Sequence, residues 1–400
     1  MTNPTLRFPG KFADWKARKL GEITCHIRNG AVYDASCKSG SCMMTRIETI
    51  SNGKINEAKV GYAEGIGEKY RLLFGDILYS HINSLSSLGK TVIYKNVPDK
   101  IYHGMNLLSI RADKNIVDPD FLFIILNLKK STDWALSHGK RAINQCSISV
   151  SDIAGMDVKL PSVVEQKKIA EFFMALDKKI SIIENEVRGI RELKSGISKK
   201  LFSLEVRFKK DDGANYEEWK EKKIKDLGTL NPNEGELPDE FIYVDLESVE
   251  DGNLRKVRLI KKEAAPSRAK RILKKNDVLF QLVRPYQKNN YLFSDDLGFP
   301  VVASTGYAVI RIANQLPGFV YQALLQEKFL KQVINRCTGG TYPAINAKDL
   351  GDIAILLPSF VEQEKISRLL ENIDMKIAIL QRKLNLYCKL RKYFMQKMFV

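Results

Sequence analysis

No run of about eighteen apolar residues occurs in this chain, so the sequence offers no membrane-crossing helix. Its N-terminus, Met1-Thr2-Asn3-Pro4-Thr5-Leu6-Arg7-Phe8, lacks the apolar core of a secretory signal, and a cytoplasmic location is expected. Its 6 cysteines (Cys25, Cys37, Cys42, Cys146, Cys337 and Cys388) form no Cys-x-x-Cys pair. The 4 histidines do not stand at zinc spacing from them. A metal site from Cys25, Cys37, Cys42 and His26 stays open on proximity, but reduced, scattered thiols are the simpler reading. Acidic residues are in deficit, 47 against 64 Lys and Arg, giving a net charge of +17. That excess favours a polyanionic partner, nucleic acid before an acidic membrane surface; a basic protein with a merely solvated surface is the bland alternative.

Catalytic constellations are also missing. Ser84-Leu85-Ser86-Ser87-Leu88-Gly89-Lys90-Thr91 ends like a phosphate loop, but Ser stands where the first Gly belongs, and a strand-like run follows where a helix is needed. Gly65-Ile66-Gly67 has no third glycine in dinucleotide-loop context. Asn231-Pro232-Asn233-Glu234 shares two residues with an amino-methyltransferase motif and lacks the aromatic that would stack on a flipped base. His26, His81, His103 and His138 have no Ser or Cys partner pattern. The chain reads as a binder.

What it does contain is a repeat. Leu160-Pro161-Ser162-Val163-Val164-Glu165-Gln166 recurs 197 positions later as Leu357-Pro358-Ser359-Phe360-Val361-Glu362-Gln363. The same offset carries Asp152 onto Asp349, Asp177 onto Asp374, Leu193 onto Leu390 and Phe202 onto Phe399. Leu6-Arg7-Phe8 is echoed by Val206-Arg207-Phe208, and Asp14-Trp15-Lys16 by Glu218-Trp219-Lys220. Gly75-Asp76-Ile77-Leu78-Tyr79 is echoed by Asn276-Asp277-Val278-Leu279-Phe280. Between these landmarks the halves differ, which suits one scaffold carrying two recognition surfaces.

The variable blocks, about 12–157 and 215–354, mix short strand-like runs with turn residues. Strands are predicted at Asp76–Tyr79, Thr91–Tyr94, Tyr243–Leu246 and Asp277–Phe280, and helices at Phe121–Leu128 and Val320–Ile334. Ser162-x-x-Glu165 and Ser359-x-x-Glu362 each read as a capping box, Glu reaching back to the cap. Beyond each, apolar residues keep a seven-residue period. The first seam is Ile169, Phe173, Leu176, Ile180, Ile183, Val187, Ile190, Ile197 and Leu201. The second is Ile366, Leu370, Ile373, Ile377, Leu380, Leu384, Tyr387, Phe394 and Met398. Lys194 and Arg391 interrupt them at matched positions and are read as the place where the seam opens towards a partner. Such seams pack, most simply against each other. Paired antiparallel, some 36 residues would span roughly 54 Å and act as a ruler between the blocks.

The duplicated Leu-Arg-Phe and Trp-Lys opening, the Gly-Asp-Ile-Leu strand and above all the twofold Leu-Pro-Ser-x-x-Glu-Gln-x-x-Ile helix start resemble the DNA-specificity subunit of type I restriction–modification systems. The likeness covers nearly the whole chain. It implies an α+β fold with two mixed α/β target-recognition domains in pseudo-two-fold repeat, separated by two long antiparallel coiled-coil-like helices. The implied division is 1–157 and 206–354 for the recognition domains, with 158–205 and 355–400 for the conserved helices. It further implies a subunit with no catalysis of its own, binding double-stranded DNA and placing two methyltransferase subunits and, in the full complex, two motor–nuclease restriction subunits. S-adenosylmethionine, ATP and magnesium would belong to those partners. The readings set against this are a coiled-coil adaptor for protein or RNA, and an enzyme with an unrecognised nuclease or methyltransferase centre.

Candidate DNA contacts are polar and basic residues at strand ends and in loops. In the first block they are Ser80, His81, Asn83, Lys90, Lys140, Arg141, Asn144 and Gln145. In the second they are Gln281, Arg284, Tyr286, Lys288, Asn289, Arg336, Thr338, Tyr342 and Asn346. Arg and Lys suit guanine, Asn and Gln suit adenine, and contacts to phosphate carry no sequence information. Arg284 and Gln281 lead the set.

Overall fold

A computed structural model describes the chain except residues 1–3, 11–12, 52, 96–99, 142–144, 256, 295–296 and 400, with the backbone alone for Ser51 and Arg141. Two compact units emerge, Met1–Ile183 with Lys383–Val400, and Glu184–Arg382. Two long helices, Val163–Phe202 and Phe360–Lys397, each give one end to each unit. No helix among the described residues is long and apolar enough to cross a membrane.

Each unit carries the same sheet. In the first, Thr24–Asn29, Leu108–Ala112, Ile77–Tyr79 and Thr91–Ile93 lie side by side, all antiparallel. In the second, Gly228–Leu230, Tyr307–Ile312, Val278–Gln281 and Tyr291–Leu292 take that order and sense. A second sheet in each mixes senses. Cys42–Met44 runs parallel to Ile101–Tyr102 and antiparallel to Gly61–Ala63. Glu240–Val244 runs parallel to Val301–Ser304 and antiparallel to Arg258–Lys261, with Ala269–Ile272 added beyond Val301–Ser304.

The repeated residues are the framework's nodes. Asp76, buried, accepts both Nε (2.7 Å) and Nη2 (2.7 Å) of Arg111, fixing the strand Ile77–Tyr79 to its neighbour. Asp277 takes Arg311 the same way at 2.9 and 2.7 Å. Glu234 also clamps Arg311, and the Asn231 Oδ1 accepts the Val309 N–H, so the methyltransferase-like tetrapeptide is a sheet fastening. Trp15, Phe121 and Phe399 form an aromatic triplet with centroids 5.8–6.1 Å apart; Trp219, Phe319 and Phe202 form its twin at 5.5–6.1 Å.

Within the first unit, Phe173 meets Phe399 and Asp177 pairs with Arg391. Within the second, Lys194 pairs with Asp374 while Leu201 shares a core with Ile366 and Leu370. Both sets run antiparallel. Every seam residue is buried or half-buried, with Ile169, Phe173, Ile183, Val187, Leu201, Ile366, Leu370, Leu380 and Met398 buried. Lys194 and Arg391 each meet an aspartate of the other long helix, and Lys194 and Asp374 also line an open cavity. Asp374 and Asp177 are themselves related by the repeat, so each interruption is filled by an ion pair.

Two expectations are corrected. The span Val320–Ile334 is two helices, Pro317–Leu324 and Glu327–Ile334, because the backbone of Gln326 is extended between them. Gln326 Nε2 holds that break by donating to Gln322 O and Ser198 Oγ. The capping boxes are incomplete. Ser162 Oγ accepts the Glu165 N–H, but the Glu165 carboxylate, wholly buried, grips Arg7 at 2.8 and 2.6 Å. Glu362 grips Arg207 at 3.2 and 2.9 Å and accepts the Trp219 indole N–H. A buried carboxylate gains more from a guanidinium fork than from one backbone N–H. The adjoining glutamines dock loops: Gln166 Oε1 accepts from Asp118 N, and Gln363 Oε1 from Leu316 N.

Candidate nucleic-acid interface

The framework strand Ile77–Tyr79 ends in Ser80 and His81, then pairs again. Ile82–Asn83 lies against Cys146–Ser147, which lies against Lys140–Arg141. His81 O accepts the Ile148 N–H at 2.9 Å. The second unit builds the same edge. Val283 bridges Ala344, Ala344 bridges Thr338, and Leu282 O accepts the Ile345 N–H at 3.0 Å. In each, a short helix follows, Val150–Ala154 capped by Ser149 and Ala347–Gly351 capped by Asn346. Candidates about sixty residues apart in sequence therefore meet at one edge per unit.

The first edge is only partly available. Ser80 and His81 are buried, and Asn83 Nδ2 donates to Ser80 Oγ. Burial pushes the His81 ring down to about 4, so it is neutral at pH 7. Lys90 is exposed and reaches Ser87 Oγ; Lys140 and Gln145 are exposed. Arg141 sits on the edge strand, and Asn144 lies outside the described residues.

The second edge is an open groove of about 540 Å³. Arg284, Gln287, Asn289 and Tyr342 line it with Glu247 and Glu250. Arg284 adopts a left-handed backbone (φ 54°), its N–H donates to Pro343 O, and its guanidinium stacks 4.3 Å from the Tyr342 ring centroid. Positive φ costs a non-glycine residue, so this loop is held rather than relaxed. No ion-pair partner for Arg284 occurs among the described residues; its fork is free to meet a base edge or phosphate.

Gln281 also lines the groove, with its amide engaged inside the protein. It is buried, its Nε2 donates to Val283 O and Gln287 Oε1, and its Oε1 accepts from Asn289 N. It shapes the loop that presents Arg284. Lys288 is tied to Glu327, and Asn346 caps its helix through Asp349 N. Tyr286, Arg336 and Thr338 are exposed or half-exposed, Asn289 half-buried. Glu247, Glu250 and Arg255 escaped the sequence reading because a separate turn brings them in; Arg255 pairs with Glu250 at 3.1 Å. Cys25, Cys37, Cys42 and His26 do not assemble, and no group of three or more metal-ligating side chains occurs among the described residues.

Two like units on antiparallel helices, each with a polar strand-end edge and dissimilar side chains, define a duplicated recognition scaffold. The sequence profile described as type I restriction modification DNA specificity domain matches residues 13–191 and again 216–386, and the chain belongs to that family. A Methanocaldococcus jannaschii chain named for the MjaX type I restriction enzyme as its specificity subunit is 30% identical, covering 96% of this chain and 92% of that one. The HindI specificity subunit of Haemophilus influenzae is 27% identical over 48% of this chain and 41% of its own. The crystal structure of the type I restriction–modification S subunit from M. genitalium shares the fold, with a TM-score of 0.66 and 16% identity over 100% of this chain and 99% of that one. The protein is a DNA-specificity subunit of a type I restriction–modification system, a class defined by target recognition rather than catalysis.

Proposed function

We propose that each unit reads one half of an asymmetric bipartite DNA site, the long helices fixing the gap and docking the methyltransferase subunits. The observation that carries this is the edge built twice on one framework. Ser80, His81 and Asn83 on the first correspond to Gln281, Leu282 and Arg284 on the second, so the two edges offer different hydrogen-bond patterns. A protein with two identical edges would read a palindrome; this one reads two unlike half-sites. On this reading Arg284 is the leading base-reading group, with Asn289 and Tyr342 beside it. Ser80, His81 and Gln281 are positioning residues.

The chain directs chemistry done elsewhere. Two methyltransferase subunits and, in the full complex, two motor–nuclease subunits complete the assembly in the cytoplasm. S-adenosylmethionine, ATP and magnesium are bound by those partners. The test is to sequence, with detection of N6-methyladenine, a host expressing this chain with its methyltransferase subunit beside one lacking the chain. A new bipartite motif with an unspecified centre, methylated once per half, is expected. No new motif, with a methyltransferase active alongside another specificity subunit, overturns the reading.

A further inference from the structure

The positive charge is unevenly placed. Residues 255–275 hold ten Lys or Arg and one acid, Glu263. In the framework stretch that contains them, 245–277, five further acids all fall outside that run. The corresponding stretch of the first unit, 45–76, has five basic and five acidic residues. Residues 255–275 supply both outer strands, Arg258–Lys261 and Ala269–Ile272, of the second unit's mixed sheet. Three of the cations are engaged: Arg255 with Glu250, Lys262 with Glu236, Lys274 with Glu234. Arg258, Lys261, Arg268, Lys270 and Lys275 are exposed and have no ion pair among the described residues. Arg271 keeps a buried Nε with no hydrogen-bond partner. Free cations on a surface repel one another and persist where an anion meets them.

We propose that this cationic sheet is the main phosphate-contacting surface for duplex DNA, so that the second unit supplies most of the sequence-independent affinity. The inference rests on the DNA-reading function above. The outer strands stand three strand spacings apart, about 14 Å. That separation is comparable with a major groove roughly 12 Å wide, whose two walls are phosphate backbones. The first unit then contributes discrimination with little backbone anchoring.

The test uses the full chain assembled with its methyltransferase subunits. Affinity is measured from about 50 to 300 mM salt for a duplex bearing the methylated motif and for an unrelated duplex. Replacing Arg258, Arg268 and Lys270 with Gln should flatten the log–log salt slope by about 2–3, close to 0.9 for each phosphate no longer neutralised. Both duplexes should weaken by the same factor, with the motif unchanged. The first-unit control, Lys54→Gln with Lys59→Gln and Lys69→Gln, should leave the slope within about one of the parent. The charge-keeping Arg258→Lys with Arg268→Lys should retain it, separating charge from misfolding. An unchanged slope in the Gln variant, or weakening confined to the motif duplex, overturns the proposal. So does intact DNA binding with failed assembly, which would make the surface a protein interface. Failure of the underlying reading would look different: the parent complex would not prefer the motif duplex at all.

Discussion

Replacing Arg207 with Met should destabilise the second unit selectively. Glu362 is fully buried and accepts Arg207 Nε at 3.2 Å, Arg207 Nη2 at 2.9 Å and the Trp219 indole at 3.2 Å. Removing the guanidinium leaves a carboxylate sealed from water with one neutral donor. Breaking one side of such a pair costs about 3–5 kcal/mol. Arg207 also donates to Tyr216 O and Glu217 O, which places the loss towards the upper end. Adding Glu362→Leu removes the stranded charge, and the double variant should recover most of the loss. Trp15 and Trp134 fall in the first unit and Trp219 in the second. In a Trp15→Phe, Trp134→Phe background, urea unfolding followed by fluorescence therefore reports the second unit alone. A loss under about 1 kcal/mol for Arg207→Met, or a double variant no better than the single, would refute the assignment of this clasp as a structural node.

Two further outcomes follow from the sites. Arg284→Ala should cost about 1–3 kcal/mol on the motif duplex, concentrated at one base pair of the second half-site; equal weakening across all substituted duplexes would reassign Arg284 to phosphate. Acid should destabilise the first unit between about pH 6.5 and 4. Burial lowers both His81 and His26 to about 4 from the ordinary 6.5, so in that window the unfolded chain binds protons the folded one refuses. Stability present above pH 6.5 is lost as the pH falls, by as much as about 3 kcal/mol for His81, and levels off below 4. His81→Asn should flatten that slope in pH-dependent urea midpoints; an unaltered slope removes His81 as its source.

The sequence carried the framework because framework residues recur. The Arg of Leu-Arg-Phe, the Trp after it, the Asp before the strand and the Glu-Gln at the helix start each keep a fixed partner. Partners fixed in space constrain identity at both ends. What those residues held was not legible. The local pattern Ser-x-x-Glu suggested a cap, while the deciding partner of Glu165 lies 158 positions away at Arg7. The edges were half legible. Strand ends and turn residues located them, but side-chain direction decides between reader and support. Gln281 and Arg284 are three residues apart, and one is sealed inside while the other is held outward by a left-handed backbone. The cationic sheet would have emerged from a running charge count along 255–275.

The repeat and the chain order are out of phase, and this has a consequence for stability. The first unit's aromatic triplet takes Trp15 and Phe121 from its own block but Phe399 from the last residues of the chain. The second takes Trp219 and Phe319 with Phe202, which precedes them. Each block is therefore closed by the end of the helix that began beside the other. Phe399→Ala should destabilise the first unit by about 3 kcal/mol, the lower part of the range for a core aromatic because Phe399 is half-buried. Phe202→Ala should act likewise on the second. Hydrogen exchange resolved by peptide separates them: Phe399→Ala should speed exchange in the strands Thr24–Asn29 and Leu108–Ala112 and leave Val278–Gln281 and Tyr307–Ile312 as they were. The opposite pattern would mean that the C-terminal segment closes the unit nearest to it in sequence, and the phase-shifted arrangement would have to be abandoned.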